Sequence, residues 1–167
     1  MKIAIAILTL LFGGLYAKAQ IPQPDPDTTA KHFLIIASIK NLQEVSSGQL
    51  SAQMASRTEV KSFGLMMIKD HGDAEQKLLA VAKAQGIQLP TTATGGIQPD
   101  LLLKNAGRNF DNLYVHGMVA GHANTVQVFE NYATTGKNPA IKAFAQQMLP
   151  VIRQHLAEIK AIDKQIK

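Results

Sequence analysis

The sequence predicts an all-α protein built as a four-helix bundle, and three observations support this class. Four long segments repeat apolar residues at steps of three and four, which lines one side of a helix, and no stretch alternates convincingly at every second residue as a strand does. The connections within the first pair and within the last pair are tight, which favours antiparallel neighbours. The stretch from Ile87 to Asn109 separates the pairs and is long enough to cross a bundle.

Residues 1–19 have the three parts of a secretory signal peptide. Lys2 supplies the positive charge, Ile3 to Leu15 the apolar core and Ala17-Lys18-Ala19 the small-residue cleavage site. The apolar run is shorter than the roughly 20 residues of a membrane-spanning helix, and no second such run follows. We therefore expect an exported chain that begins at Gln20, with retention of the leader as an anchor as the alternative.

Composition excludes several classes of function. The chain has no cysteine, so it has no disulfides, no thiolate metal ligands and no cysteine nucleophile. Loss of Lys2 and Lys18 with the leader lowers the formal net charge of +5 by two, which leaves too little and too scattered a charge for nucleic-acid binding. The sequence also has no phosphate-binding glycine loop after a strand and no G-x-S-x-G motif, so an enzyme is the weakest interpretation.

The first helix is predicted to present two different sides. Residues 20–27 alternate proline with polar residues and form an extended linker, so the folded domain comprises residues 28–167. Capped by Asp27, Thr28 or Thr29, the helix runs to about Ala55. Its aliphatic side comprises Ile35, Ile36, Ile39, Leu42, Leu50 and Met54, and its small-residue edge comprises Ala37, Asn41, Gly48, Ala52 and Ala55. Glu44 lies beside the small-residue edge, where a solvated glutamate is an open alternative to a buried one.

The second helix, from Ser56 to Gly86, has the clearest boundaries. Ser56-x-x-Glu59 predicts a capping box at its start, and Gly86 predicts its end. A single apolar stripe follows its length and comprises Val60, Phe63, Met67, His71, Ala74, Leu78 and Val81. His71 is the polar exception in the middle of this stripe.

The last two long helices carry similar stripes. Pro99 opens a short helical piece at residues 100–106, and the third long helix runs from about residue 110 to 134. Its stripe comprises Phe110, Tyr114, Met118, Gly121, His122, Thr125, Phe129 and Tyr132. Asn138-Pro139 starts the fourth, in which Pro150 predicts a kink. That stripe comprises Ile141, Phe144, Ala145, Met148, Ile152, His155, Leu156, Ile159 and Ile162.

Three of the five histidines, His71, His122 and His155, therefore lie on apolar stripes of three different helices. Counting outward from the two tight turns at about 1.5 Å per residue places these histidines and Glu44 in roughly one layer. Buried imidazoles need partners, so this layer is either a metal site or a hydrogen-bonded network. Imidazoles together with a carboxylate suit zinc, iron or copper.

Two aspartates are candidates to support such a site. Metal-bound histidines usually donate their other N–H to a carboxylate or a carbonyl oxygen. Asp70 precedes His71 directly, and Asp111 begins the third long helix. Surface positions are the alternative for both.

With these residues identified, the chain resembles a bacterial exported family known only as domain of unknown function 4142. The matching segments are Phe33-x-x-x-Ala37, Leu42-x-Glu44, Val60-Lys61-x-Phe63, Met67-Ile68-x-Asp70-His71, Gly86 with Leu89-Pro90, Phe110-Asp111-x-x-Tyr114, His122, Leu149-Pro150 and His155-Leu156. The resemblance covers nearly all of the mature chain and implies a ferritin-like fold in the periplasm or outer membrane of a Gram-negative bacterium. Di-iron enzymes of that fold need Glu-x-x-His on two helices. Ile68 and Ile152 stand at those glutamate positions, so this chemistry is not expected.

Two hypotheses of function follow. The first is a non-catalytic envelope protein that binds a metal ion through Glu44, His71, His122 and His155. The second is a structural, interaction or stress-related envelope protein whose polar layer fixes the packing of the bundle. Membrane association and oligomeric state stay open in both.

Overall fold

The computed structural model describes residues 28–89 and 100–166, and the regular elements in these ranges are all helical. They are α1 (Thr28–Met54), α2 (Thr58–Ala84), α3 (Leu101–Lys104), α4 (Phe110–Thr135) and α5 (Pro139–Asp163), with a 3₁₀ turn at Gly107–Asn109. The prediction of an all-α protein is confirmed. None of the described helices is long and apolar enough to cross a membrane. The predicted signal peptide (1–19) and linker (20–27) lie outside the described residues.

The four long helices form two hairpins. α1 packs along α2 and α4 packs along α5, while the hairpins meet chiefly through α2 and α5 and also through α1 and α4. Their buried side chains form two apolar clusters. One contains Phe33, Leu34, Leu78, Phe129, Tyr132, Ile141, Phe144 and Ile152. The other contains Val60, Phe63, Met67, Phe110, Tyr114, Met118 and Ile159.

α1 faces the core with its small-residue edge, and its aliphatic side is only partly covered. Ala37, Asn41 and Glu44 are buried, whereas Ile39 is 37% exposed. Two glycines explain this orientation: a Cβ on Gly48 would lie 2.6 Å from the carbonyl oxygen of Gly64 on α2, so only glycine permits so close an approach. The solvated alternative for Glu44 is therefore wrong.

The predicted capping box at the start of α2 is also wrong. Arg57 is the N-cap residue and its side chain makes no capping hydrogen bond, while its Nε donates to Glu59 Oε1 over 2.6 Å. The carboxylate of Asp111 on α4 accepts instead from the backbone N–H groups of Ser56 and Arg57, each over 3.0 Å. Asp111 thus accepts from the N-cap backbone N–H, which is the role that the predicted capping box gave to Glu59.

The other helix ends follow local chemistry. Gly86 adopts a φ of +66° just past α2, the left-handed conformation that glycine favours at a helix end. Asn138 accepts from the backbone N–H groups of Ala140 and Ile141 at the start of α5. α5 then continues through Pro150 to Asp163.

Candidate metal centre

Three buried histidines lie between the two apolar clusters. His71 on α2, His122 on α4 and His155 on α5 are each at most 5% exposed. On each of these helices, residues of one cluster precede the histidine and residues of the other follow it. The three histidines therefore lie at a common depth along the helices, as the sequence predicted. We call them the histidine centre.

The three imidazole rings face one another at nearly equal distances. Their centroids are 5.7 Å apart for His71 and His122, 5.4 Å for His71 and His155, and 5.6 Å for His122 and His155. Each ring offers a nitrogen such that the three nitrogens lie within 4.8 Å of one another. The rings thus converge on a shared point from three helices.

A hydrogen-bond chain fixes the tautomer of His71. Its Nδ1 lies 3.0 Å from Oδ1 of Asn41 on α1. Asn41 is oriented in turn because its Nδ2 donates to Oε2 of Glu75 over 3.1 Å, and Ser38 Oγ donates to the other oxygen of that carboxylate over 2.6 Å. With the Asn41 oxygen facing the ring, His71 Nδ1 must carry the proton, so Nε2 carries the lone pair.

The other two histidines are held in the same way. His122 Nδ1 donates to the carbonyl oxygen of Met118 over 3.0 Å, and His155 Nε2 donates to Asp70 Oδ2 over 3.1 Å. Each acceptor fixes one N–H, which leaves a lone pair on the opposite ring nitrogen. These nitrogens are His71 Nε2, His122 Nε2 and His155 Nδ1, and all three are buried without a hydrogen-bond partner among the described residues.

Burial keeps the rings of His71 and His122 uncharged. Removal from water lowers the pKa of His71 to about 3, and the proximity of His122 and His155 adds to the effect. Burial also lowers the pKa of His122 to about 4, although its hydrogen bond to Met118 opposes the change. Neutral imidazole is the form that binds metal ions, so these two rings can bind a cation at neutral pH.

Asp70 is the acidic partner of this centre and is ionised. Burial raises its pKa, but hydrogen bonds from His155 and Lys69 outweigh burial and bring the pKa below its usual value. A carboxylate that accepts the outer N–H of a histidine orients the ring and increases its basicity as a ligand. Asp70 therefore occupies the position that a supporting carboxylate takes beside a metal-binding histidine.

A small cavity lies beside two of the three rings. It has a volume of about 10 Å³ and borders Asn41, Asp70, His71 and His155 but not His122, and this volume is close to the smallest that holds one water molecule. Metal bonds of about 2.0–2.1 Å place three nitrogens roughly 3.3–3.6 Å apart, so the rings need to approach by about 1 Å. The donor set and its size fit a transition-metal ion.

Two predicted site residues lie outside this centre. Glu44 is 7% exposed, and its Oε1 is 4.0 Å from Nδ1 of His122, the nitrogen that faces away from the shared point. Burial raises the pKa of Glu44 to about 7, with Lys40 opposing the rise. Asp111 was expected to support a histidine, but that prediction is wrong. Asp111 lies about three turns before His122 on α4, too far to reach it, and binds the backbone before α2 instead.

Sequence reasoning also missed residues that hold the centre. Asn41 was assigned only to the small-residue edge, and Glu75 was assigned no role. A spacing signal existed for both, because Asn41 precedes Glu44 by one turn and Glu75 follows His71 by one turn. The third acceptor is the backbone carbonyl oxygen of Met118, and because every residue has such an oxygen, the sequence cannot indicate it.

Together the fold and the centre define a helical protein with a buried cluster of three metal-competent histidines. The chain belongs to the family described as a domain of unknown function, DUF4142, which matches residues 16–162. No curated protein was found to match it.

Two solved structures share its fold. A DUF305 fragment from Deinococcus radiodurans has a TM-score of 0.69 and 12% sequence identity, covering 83% of this chain and 97% of its own. CopM in the Cu(I)-bound form has a TM-score of 0.68 and 15% identity, covering 81% of this chain and 96% of its own. At these identities the likeness concerns the fold alone.

Proposed function

We propose that this protein is an exported, ferritin-like four-helix bundle of the cell envelope that binds one transition-metal ion through His71, His122 and His155. The observation that carries the proposal is the hydrogen bonding of the two nitrogens in each imidazole ring. One nitrogen donates to a defined acceptor, and the other is buried without a partner. A hydrogen-bonded network would use these inner nitrogens, because leaving buried polar atoms unpaired is costly.

The donor set narrows the choice of metal. Three neutral imidazoles suit zinc, copper or iron, and the thiolate ligands of many soft-metal sites are absent because the chain has no cysteine. Copper is the first metal to test because CopM shares this fold and its structure was solved in the Cu(I)-bound form. Binding rather than catalysis is favoured, since the cavity that borders His71 and His155 has a volume of only about 10 Å³, too small for a substrate.

The test is a comparison of metal binding between histidine variants. The mature chain from Gln20 to Lys167 is expressed without an affinity tag, stripped with chelator, and titrated separately with Cu(I), Zn²⁺ and Fe²⁺. We expect one bound ion per wild-type chain by elemental analysis and none in His71→Ala. His116→Ala is the matched control, because the His116 side chain is 67% exposed and pairs with Asp163 outside the centre.

Two results would contradict the proposal. One is a wild-type protein that binds none of the three metals, and the other is a His71→Ala variant that binds as tightly as wild type. Export is tested separately by fractionating cells that produce the full chain. A periplasmic or outer-membrane protein that starts at Gln20 supports the leader assignment, and a cytoplasmic protein that keeps Met1 opposes it.

A structural or interaction role is the second candidate function. It is supported by large apolar side chains at the surface. Leu101 and Leu102 on α3 are 66% and 77% exposed, which is unusual for large apolar side chains. In that case the histidine centre only fixes how the helices pack. A metal-free wild-type protein whose His71→Ala variant is merely less stable would favour this candidate.

A further inference from the structure

A second internal space opens between α1 and α4 and is separate from the histidine centre. This α1–α4 cleft has a volume of about 610 Å³, within the range of small-molecule sites. Lys40, Glu44 and Ser47 line its α1 wall, and α3 closes one end. None of the three rings of the centre lines it.

One buried carboxyl oxygen in the wall of the cleft has no hydrogen-bond partner among the described residues. Glu44 and Tyr114 both line the cleft and are 7% and 0% exposed. The hydroxyl of Tyr114 is paired with the side chain of Ser51, whereas Oε2 of Glu44 makes no hydrogen bond to any described residue. Buried polar atoms in native proteins are nearly always paired, so this oxygen indicates a missing partner.

The α4 wall of the cleft has an open position at Gly117. A Cβ built on Gly117 would meet no atom of the described chain within 4 Å, whereas one built on Gly121 would lie 3.7 Å from Oε1 of Glu44. Leu102 and Leu113 form an exposed apolar rim beside this wall. A bare helix backbone next to leucine side chains accommodates a flat, apolar ring.

We propose that the α1–α4 cleft binds a small aromatic molecule that carries a hydroxyl group, with the ring against Gly117 and the hydroxyl at Glu44. A hydroxyl both donates and accepts, so it can pair with the carboxyl group of Glu44 in either protonation state. Charges of both signs line the cleft, since Lys40 and His116 line it together with Glu44 and Asp100. A charged group would therefore meet a like charge, which an uncharged hydroxyl avoids.

The test uses 2-naphthol as the probe, with naphthalene as the same ring system without the hydroxyl. The protein has no tryptophan, so naphthol fluorescence can be followed without an overlapping indole signal. We use the protein obtained by expressing the full chain, in the presence of chelator so that the histidine centre is metal-free. Wild type is expected to bind one 2-naphthol per chain, and naphthalene about tenfold more weakly because it lacks the hydrogen bonds.

A pair of glycine variants locates the site. Gly117→Leu fills the cleft at a position where the added side chain meets no described atom, and we expect naphthol affinity to fall at least about tenfold. Gly72→Leu on α2 is the matched control, since its Cβ also meets nothing within 4 Å in the described chain and it does not line the cleft. Both changes replace a helical glycine with a better helix former, so both variants should fold.

Glu44→Leu tests the role of the hydroxyl and should reduce the affinity for 2-naphthol to the level found for naphthalene. Three outcomes would overturn the proposal. These are no binding of 2-naphthol by wild type, equal affinity in wild type and Gly117→Leu, and naphthalene binding as tightly as 2-naphthol. Metal binding by Gly117→Leu is measured in parallel, so that failure of this site and failure of the histidine centre remain distinguishable.

Discussion

The histidine centre and the α1–α4 cleft both hold buried polar atoms without partners, yet their surroundings differ. In the centre, three nitrogens lie within 4.8 Å of one another, and each ring is held from behind by an acceptor. In the cleft, a carboxyl oxygen of Glu44 borders an open space of about 610 Å³. Buried polar atoms without partners thus indicate an ion where several of them converge, and an organic molecule where they line a large cavity.

The largest expected difference between the two regions is thermal stabilisation by metal. A ligand that binds only the folded state at 1,000 times its dissociation constant contributes about 4 kcal/mol, which raises the Tm of a protein of this size by roughly 8–16 °C. We expect this shift in wild type and in Gly117→Leu, measured by calorimetry with and without the bound metal. The same shift in His71→Ala would contradict the assignment of the centre.

The carboxyl group of Glu44 should make the metal-free protein less stable as the pH rises. Burial raises its pKa from 4.5 to about 7, so the folded state holds the proton more tightly than the unfolded state. The stability contributed by this proton is present below pH 4.5 and is lost as the pH rises to 7 and above, in total about 3 kcal/mol. Urea unfolding at pH 5 and pH 8 should show this loss in wild type, and Glu44→Gln should lack it. Parallel pH curves for the two proteins would contradict the burial of Glu44.

The histidine centre should show the opposite dependence on pH. The pKa of His71 falls from 6.5 to about 3 on folding, so the unfolded state takes up a proton below pH 6.5 and stability falls as the pH decreases. Between pH 7 and pH 5 this residue accounts for about 2 kcal/mol. In urea unfolding with chelator, His71→Leu should lose about that much less than wild type, while exposed His116→Leu should behave as wild type. An unchanged slope in His71→Leu would show that the ring is not held neutral.

The smallest expected effect concerns the support of His155. Asp70→Asn keeps an acceptor oxygen but removes the charge, so we expect metal affinity to fall about tenfold with little change in fold. Asp73→Asn is the control, because Asp73 lies on the same helix and pairs with Lys69 at the surface. Equal loss of affinity in both variants would mean that Asp70 acts only through the general charge of the surface.

Much of the helical framework could be predicted from the sequence because it depends on local chemistry. The stripe through Phe63, Met67 and His71 marks the inner face of α2, and these residues are buried as expected. Asn138-Pro139 marks the start of α5 because its capping bonds join neighbours in the chain. The common depth of the three histidines followed from counting residues, since the rise per residue of a helix is constant.

Contacts between distant parts of the chain were decided only by the tertiary structure. α1 turns its small-residue edge inward because Gly48 and Gly64 meet backbone to backbone, and this rotation buries Glu44 and Asn41. Asp111 of the far hairpin binds the backbone N–H groups of Ser56 and Arg57 just before α2, a role that the local pattern assigned to Glu59. The sequence by itself determined which residues share a helix face. Which face meets which neighbour, and so which nitrogens and oxygens remain unpartnered, depended on close packing between helices that no local pattern records.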